Sequence, residues 1–149
     1  MKRSPLLFIA LGLSLMGAGC FASPASPTPT PTATSVTLTT AKGEINRIHV
    51  TMPTVGSKIA RPLKIAGEAR GWYFEGSFPV SVLNQNGVKI ATGIAQATGD
   101  WMTDAWVPFT GTIDYPAQPA GSKGTIVFSK DNPSGLPEHD DSAEMQITF

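Results

Sequence analysis

The stretch that decides the fold class is FPVSVLNQNGVKIA, residues 78–91. Apolar residues alternate with others on both sides of the pair Asn86-Gly87. Alternation with a period of two is typical of a β-strand that buries one face. An Asn-Gly pair between two such runs indicates a hairpin with a two-residue turn. We therefore predict two antiparallel strands at this point. Their buried face carries Phe78, Val80, Val82, Val88 and Ile90.

The same alternation recurs through residues 43–149, and no segment sustains helical spacing. The other runs are NRIHVTM (46–52), LKIAGEAR (63–70), DAWVPFTGTID (104–114), GTIVFSK (124–130) and EMQITF (144–149). We predict an all-β, immunoglobulin-like antiparallel β-sandwich of about seven strands. It has no disulfide, because the single cysteine is Cys20. Pro79 and Pro108 fall inside strand-like runs, so we expect those strands to be edge strands or bulged.

The chain begins like an exported protein. Lys2 and Arg3 precede an apolar run over residues 6–16, which matches a signal-peptide core and is too short to span a bilayer. Small residues and then Cys20 follow. This arrangement resembles the signal of bacterial lipoproteins, although Gly17 stands where that signal usually has leucine. The resemblance implies cleavage after residue 19 and a lipid on Cys20.

The alternative for this N-terminal segment is ordinary secretion, with cleavage after Ala22 or Ala25. In either case we expect an N-terminal signal peptide, residues 1–19 on the lipoprotein interpretation, and an extracytoplasmic protein. The lipoprotein interpretation further predicts that the protein is anchored to the cell membrane.

Residues 20–42 are rich in Pro, Ser and Thr and carry no charge before Lys42. Such a segment has too little apolar surface to offset its ordering entropy, so we predict a disordered tether. Residues 43–149, the predicted domain, have 8 basic and 11 acidic residues. This mildly acidic balance does not indicate a nucleic-acid partner.

Specific motifs lie between roughly Asn46 and Phe149. They are Pro53 with Gly56, RPLKIAGEAR with Phe74 and Glu75, Trp101 with Phe109, and KDNPSG at residues 130–135. Through these motifs the domain resembles a known family, the immunoglobulin-like domain of bacterial spore germination proteins. The resemblance implies a surface-exposed bacterial sandwich, in a family whose molecular function is not established, with a link to sporulation or germination.

RGWYFE, residues 70–75, is the first candidate site. On one interpretation, Trp72 and Tyr73 form an exposed aromatic platform for a sugar or a peptide, flanked by Arg70 and Glu75. On the other, the segment is structural: Phe74 points inward and Arg70 pairs with Glu75. Large aromatic side chains are usually buried, which favours the second interpretation.

Two further stretches carry candidate residues. Trp101 and Trp106 lie five apart, which on one strand would place them on opposite faces. The stretch SKDNPSGLPEHDD, residues 129–141, offers Asp131, Asn132 and Ser134 as surface contacts. It also offers a calcium option, with possible ligands Asp131, Glu138, Asp140 and Asp141. The alternative is an ordinary turn built by Asn132, Pro133 and Gly135.

The sequence shows no nucleophile–base pattern, and neither His49 nor His139 belongs to a metal-ligand cluster. We predict no enzymatic activity, no cofactor and no metal. The expected role is a binding module of the cell envelope, with a membrane contact through its lipid and an envelope protein or glycan as partner. The alternatives are a cell-wall glycan hydrolase, or hydrolase accessory, that uses Glu75, and a purely structural spacer.

Overall fold

The computed structural model describes residues 35–149. The predicted signal peptide, Cys20 and residues 20–34 of the predicted tether lie outside this part of the chain. The described residues form eight strands and one short 3-10 helix, at Pro137–His139. The strands are β1 (Val36–Thr37), β2 (Ile48–Met52), β3 (Leu63–Ala69), β4 (Ser77–Leu83), β5 (Lys89–Ala97), β6 (Val107–Ile113), β7 (Lys123–Ser129) and β8 (Ser142–Thr148). Within residues 35–149, no helix has the length and apolar character needed to cross a membrane.

All eight strands belong to one antiparallel sheet, in the order β1-β2-β3-β6-β5-β4-β7-β8. The sheet curls on itself, so that residues near its first strand reach its last. The Ala41 amide donates to the Ser142 carbonyl at 2.6 Å, and the Ile59 amide donates to the Thr148 carbonyl at 2.9 Å. The predicted all-β, immunoglobulin-like sandwich without a disulfide is confirmed.

The core is built from the inward residues of the alternating runs. Phe109 lies at its centre, with ring centroids 5.1 Å from Phe78 and 6.1 Å from Phe128. All three rings are at most 1% exposed. Burying a large apolar side chain contributes roughly 1.5–3 kcal/mol, so a domain without a disulfide is held together by these contacts.

The folded domain begins earlier than the sequence indicated. Val36 and Thr37 pair with Val50 and His49 of β2, and Leu38 is 7% exposed. These residues lie inside the segment predicted to be a tether. Residues 36–38 form a short, Thr-containing run like the tether residues that precede them. Only their pairing with β2 distinguishes them from the tether.

The expectation of edge strands is wrong for Pro79 and Pro108, because β4 and β6 each have a neighbouring strand on both sides. The expected bulge occurs in β4, whose pairing with β5 shifts register between Val82 and Leu83, but β6 pairs without such a shift. Pro79 lies one residue before the first pair between β4 and β7, Val80 with Phe128. Pro108 precedes the last pair between β5 and β6, and its carbonyl accepts from the Thr98 amide. The prolines are tolerated because each lies where pairing on one side of its strand ends.

The predicted hairpin joins β4 to β5, but its turn differs from the prediction. Only Gly87 has a positive φ, of 73°, whereas a two-residue turn of the Asn-Gly type requires two. The loop has three residues instead, between Asn84 and Val88, whose backbones are hydrogen-bonded. The Asn84 side chain selects this turn, because its oxygen accepts from the amides of Asn86 and Val88. Val88 is 56% exposed and does not join the core.

The strand directions divide the connections between two ends of the sandwich. We call one the distal end; its loops are residues 38–47, 70–76, 98–106 and 130–141. The other is the entry end, because the chain runs into β1 from there; its loops are residues 53–62, 84–88 and 114–122.

Candidate binding surface

The distal end collects every described residue that the sequence analysis offers as a candidate binding residue or calcium ligand. These are Arg70, Trp72, Tyr73, Glu75, Trp101, Trp106, Asp131, Asn132, Ser134, Glu138, Asp140 and Asp141. They come from three loops that are far apart in sequence. Antiparallel strands bring them to one end because every second connection returns there.

Trp72 belongs to the core and not to a surface. Its side chain is 1% exposed, and its ring meets Phe78 edge-on at 5.8 Å. Phe74, expected to point inward, is 41% exposed. The aromatic platform is therefore wrong at Trp72, and the structural interpretation is right about burial but wrong about which residue is buried.

Glu75 lies in a tight turn. The amide of Phe74 donates to the carbonyl of Ser77, and the reverse bond also forms, both at 3.1 Å. Glu75 and Gly76 have φ of 49° and 76°, the two positive values of a type I′ hairpin turn. The predicted Arg70–Glu75 ion pair does not occur. Arg70 donates from Nε to the Asn46 carbonyl at 2.8 Å instead.

A stacked cluster, which we call the indole cluster, surrounds Trp106. The Trp106 ring lies 3.9 Å from the His49 ring in a stacked arrangement, and the Arg70 guanidinium lies 5.0 Å from the indole centroid. His49 Nδ1 is 2.9 Å from an oxygen of Glu68. The cluster is half-buried, so it fixes Arg70 on the outer face of β2, β3 and β6.

Sequence reasoning missed the indole cluster, although alternation placed His49 and Glu68 on the outward faces of their strands. The missing information was the register. Residue pairs link His49 to Glu68 across β2 and β3, and Ala69 to Val107 across β3 and β6. That register places Arg70 opposite Trp106.

An open groove of about 560 Å³ adjoins Arg70 at the distal end. Its lining combines charged side chains with an apolar one: Glu44, Ile45, Arg47, Arg70 and Asp104, together with Gly43 and Gly71. Arg47 pairs with Glu44 at 2.6 Å, while Ile45 is 64% exposed. A groove with both charges and an exposed apolar side chain can bind a polar ligand by hydrogen bonds and apolar contact together.

Trp101 lies in the loop before β6 and not on a strand, so the argument from alternation does not apply to it. Its indole covers the backbone of Gly76: a Cβ at Gly76 would lie 3.1 Å from the indole Cδ1. The side chain is half-buried, which leaves part of the ring at the surface of the distal end.

The acidic stretch forms the predicted turn. The Gly135 amide donates to the Asn132 carbonyl at 3.2 Å, and Gly135 has a φ of 64°. Asn132 Nδ2 donates to Asp140 Oδ1 at 2.7 Å, which fixes the far side of the loop. Among residues 35–149, no group of three or more Asp, Glu, His or Cys side chains could hold a metal ion. Calcium at Asp131, Glu138, Asp140 and Asp141 has no geometric support in this part of the chain.

Tyr73 links the loop between β3 and β4 to the first residue of β6. Its hydroxyl donates to the Val107 carbonyl at 2.6 Å, and its ring lies 5.2 Å from Phe78. Burial raises the pKa of the Tyr73 hydroxyl well above its ordinary value, because it disfavours the phenolate. The hydroxyl is therefore a fixed donor and not a reactive group.

We expect the Tyr73→Phe variant to lose about 0.5–1.5 kcal/mol of unfolding free energy, the net value of one hydrogen bond. The wild type should also lose stability as pH rises above about 10. The unfolded chain then releases the Tyr73 proton, while the folded chain, with its raised pKa, retains it. Denaturant titrations at neutral and alkaline pH test both effects. If the unfolding free energy of the wild type and of Tyr73→Phe fell equally with rising pH above about 10, Tyr73 would not be the group responsible.

The comparison with protein families identifies the domain. A family model described as the immunoglobulin-like domain of bacterial spore germination matches residues 47–136, more than half of the chain. The chain belongs to this family. The search of curated proteins and the search of solved structures each found no match.

The germination-family domain, as folded here, extends beyond the matched residues at both ends. The match ends at Leu136, short of the Asn46–Phe149 range expected from the motifs. β1 lies before the match and β8 after it. β8 is nevertheless part of the core, because Met145 and Ile147 are each 1% exposed.

Proposed function

We propose that this protein is a non-enzymatic binding module of the bacterial cell envelope, anchored through a lipid on Cys20, with a role linked to germination. Membership of the germination family supports the setting. The export-type N-terminus with Cys20 supports the anchor. The distal end would carry the binding function.

One observation carries the choice of the distal end: its loops and its groove lie opposite the end at which the chain enters the sheet. A domain held by an N-terminal tether presents that end outward. The distal loops also leave large apolar side chains in water, with Ile45 64% and Met102 76% exposed. Exposed apolar groups beside charged ones are typical of surfaces that bind a partner.

The experiment uses residues 21–149, a form that lacks Cys20 and includes β1, as bait against detergent-solubilised envelope extracts, which contain no membranes, and on a glycan array. The variant Ile45→Asp/Met102→Asp places two charges on the distal end. A matched variant, Val55→Asp/Val88→Asp, places the same charges on the entry end, at residues that are 50% and 56% exposed. All four side chains are exposed enough for both variants to fold.

We expect the distal variant to weaken binding at least tenfold, which is roughly the loss of one strong interface contact. The entry-end variant should bind like the wild type. Equal binding by all three proteins would assign the partner to another face. A wild-type domain that captures nothing reproducibly would favour the structural spacer instead.

A further inference from the structure

The charges of the described residues are divided between the two ends of the sandwich. Five cationic side chains lie in the entry-end loops or at the strand ends beside them, and all five are exposed: Lys58, Arg61, Lys64, Lys89 and Lys123. Asp114 is the one acidic side chain there in the described chain. Every other acidic residue of 35–149 lies in a distal loop or in the distal half of a strand.

The entry-end cations are not neutralised by neighbours. The salt bridges found among residues 35–149 join Arg47 to Glu44 and His49 to Glu68, both near the distal end. A seven-residue strand is about 23 Å long, whereas the Debye length at physiological ionic strength is roughly 8 Å. The distal carboxylates therefore do not cancel the positive field that a surface touching the entry end would meet.

Apolar groups accompany these cations. Met52 and Val55 are 49% and 50% exposed, in or beside the loop between β2 and β3. The same loop borders a groove of about 370 Å³ whose lining combines apolar residues with three cationic ones. Its lining is Met52, Pro53, Lys58, Ile59, Ala60, Arg61, Pro62, Leu63 and Lys64.

We propose that the entry end docks on an anionic phospholipid surface, with Lys58, Arg61 and Lys64 meeting the phosphodiester headgroups and Met52 and Val55 inserting between them. Exposed cations beside exposed apolar side chains are the combination that binds such an interface. The position of this face supports the lipid over other anionic partners, because β1 runs from this side towards the distal end, and the segment with the export signal precedes β1 in the chain. Docking would orient the distal groove away from the membrane.

The test uses residues 21–149, which lack Cys20 and cannot be lipidated, in co-sedimentation with vesicles. We expect binding to vesicles of phosphatidylcholine with phosphatidylglycerol, loss of binding in high salt, and none to phosphatidylcholine alone. The Lys58→Gln/Lys64→Gln variant should bind roughly 30-fold more weakly, since each cation near an anionic surface contributes about fivefold. The matched control, Lys42→Gln/Lys130→Gln, has the same net charge but changes the distal end, and should bind within about twofold of the wild type.

Three outcomes would overturn the proposal: binding neither to anionic vesicles nor to soluble poly(glycerol phosphate), equal loss of vesicle binding in the two variants, or binding to poly(glycerol phosphate) without binding to vesicles. The last would assign the basic face to a wall polymer. Melting curves of both variants check that they fold. The vesicle assay contains no partner of the distal end, so a failure to bind vesicles would leave the proposed function of the distal end unaffected. A failure of the bait experiment would likewise leave the proposed membrane docking unaffected.

Discussion

Replacing Trp72 by alanine is expected to lower the free energy of unfolding by about 3–5 kcal/mol, the range for losing a buried Trp or Phe. The indole is 1% exposed and contacts Phe78 edge-on. Its backbone carbonyl also accepts from the amide of Asp131 at 3.0 Å, so the residue connects two distal loops. Its loss leaves a cavity at the distal end of the core. Equilibrium denaturation in urea measures the difference.

Phe74→Ala is the matched control for this prediction. Phe74 is also an aromatic residue of the loop between β3 and β4, but it is 41% exposed and lies beside the turn at Glu75 and Gly76. We expect a loss of about 1 kcal/mol or less, as for most surface substitutions. If the two variants lost equal stability, the assignment of Trp72 to the core and of Phe74 to the surface would be wrong.

Replacing Gly67 by alanine is the second large effect, and we expect a loss of at least about 3 kcal/mol. A Cβ at this position would lie 2.1 Å from the backbone oxygen of His49 and 2.7 Å from Cζ of Phe109. Neither neighbour can move aside easily, because His49 is paired within β2 and Phe109 is 1% exposed at the centre of the core. Overpacking a core costs typically 1–3 kcal/mol, and a contact with backbone adds to this because the strands themselves must separate.

Gly99→Ala controls for the general effect of replacing a glycine. A Cβ at Gly99 meets nothing within 4 Å, and its φ is not positive. Alanine there should be neutral or should stabilise by about 0.4–1 kcal/mol, through the unfolded chain. The melting temperature of Gly67→Ala should therefore fall well below that of the wild type, while that of Gly99→Ala should stay the same or rise. A Gly67→Ala variant as stable as the wild type would contradict the close approach of β2 and β3.

Much of the fold could be predicted because alternation is a local property. Alternation in the run LKIAGEAR puts Leu63, Ile65 and Ala69 on one face of their strand, and all three are buried. Gly67 interrupts this face because the Phe109 ring occupies the space of its side chain. The sequence shows the glycine, but only the register between β3 and β6 explains it.

The candidate site was predictable as a region and not in its details. At residues 70–75 the structural interpretation placed Phe74 inward, but the buried residue is Trp72, because the chain leaves the strand after Ala69 and a period of two no longer applies. The turn of the predicted hairpin was also wrong, and the turn at Glu75-Gly76 was not predicted. Asn86-Gly87 has the sequence of a two-residue turn, yet the Asn84 side chain selects a longer loop. Glu75-Gly76, with a residue that rarely takes a positive φ, forms the tight turn instead.

The indole cluster could not be predicted from local pattern at all. It joins His49 of β2 to Arg70 and Trp106, which lie directly after β3 and directly before β6. The order and register of these three strands are set by the whole core. Arg47 and Ile45 line the adjoining groove for the same reason. Such sites depend on pairs of residues far apart in sequence, and a single sequence does not record those pairs.

The curled sheet offers little template for uncontrolled polymerisation at its two outer edges. β1 is two residues long, and the backbone of β8 is occupied by bonds to Ala41, Gly56, Ser57 and Ile59. Long unpaired edges invite neighbouring chains to add strands and grow into fibrils. If the domain is anchored as proposed, its copies meet at high local concentration, and blunted edges then allow dense crowding while each copy stays a separate particle.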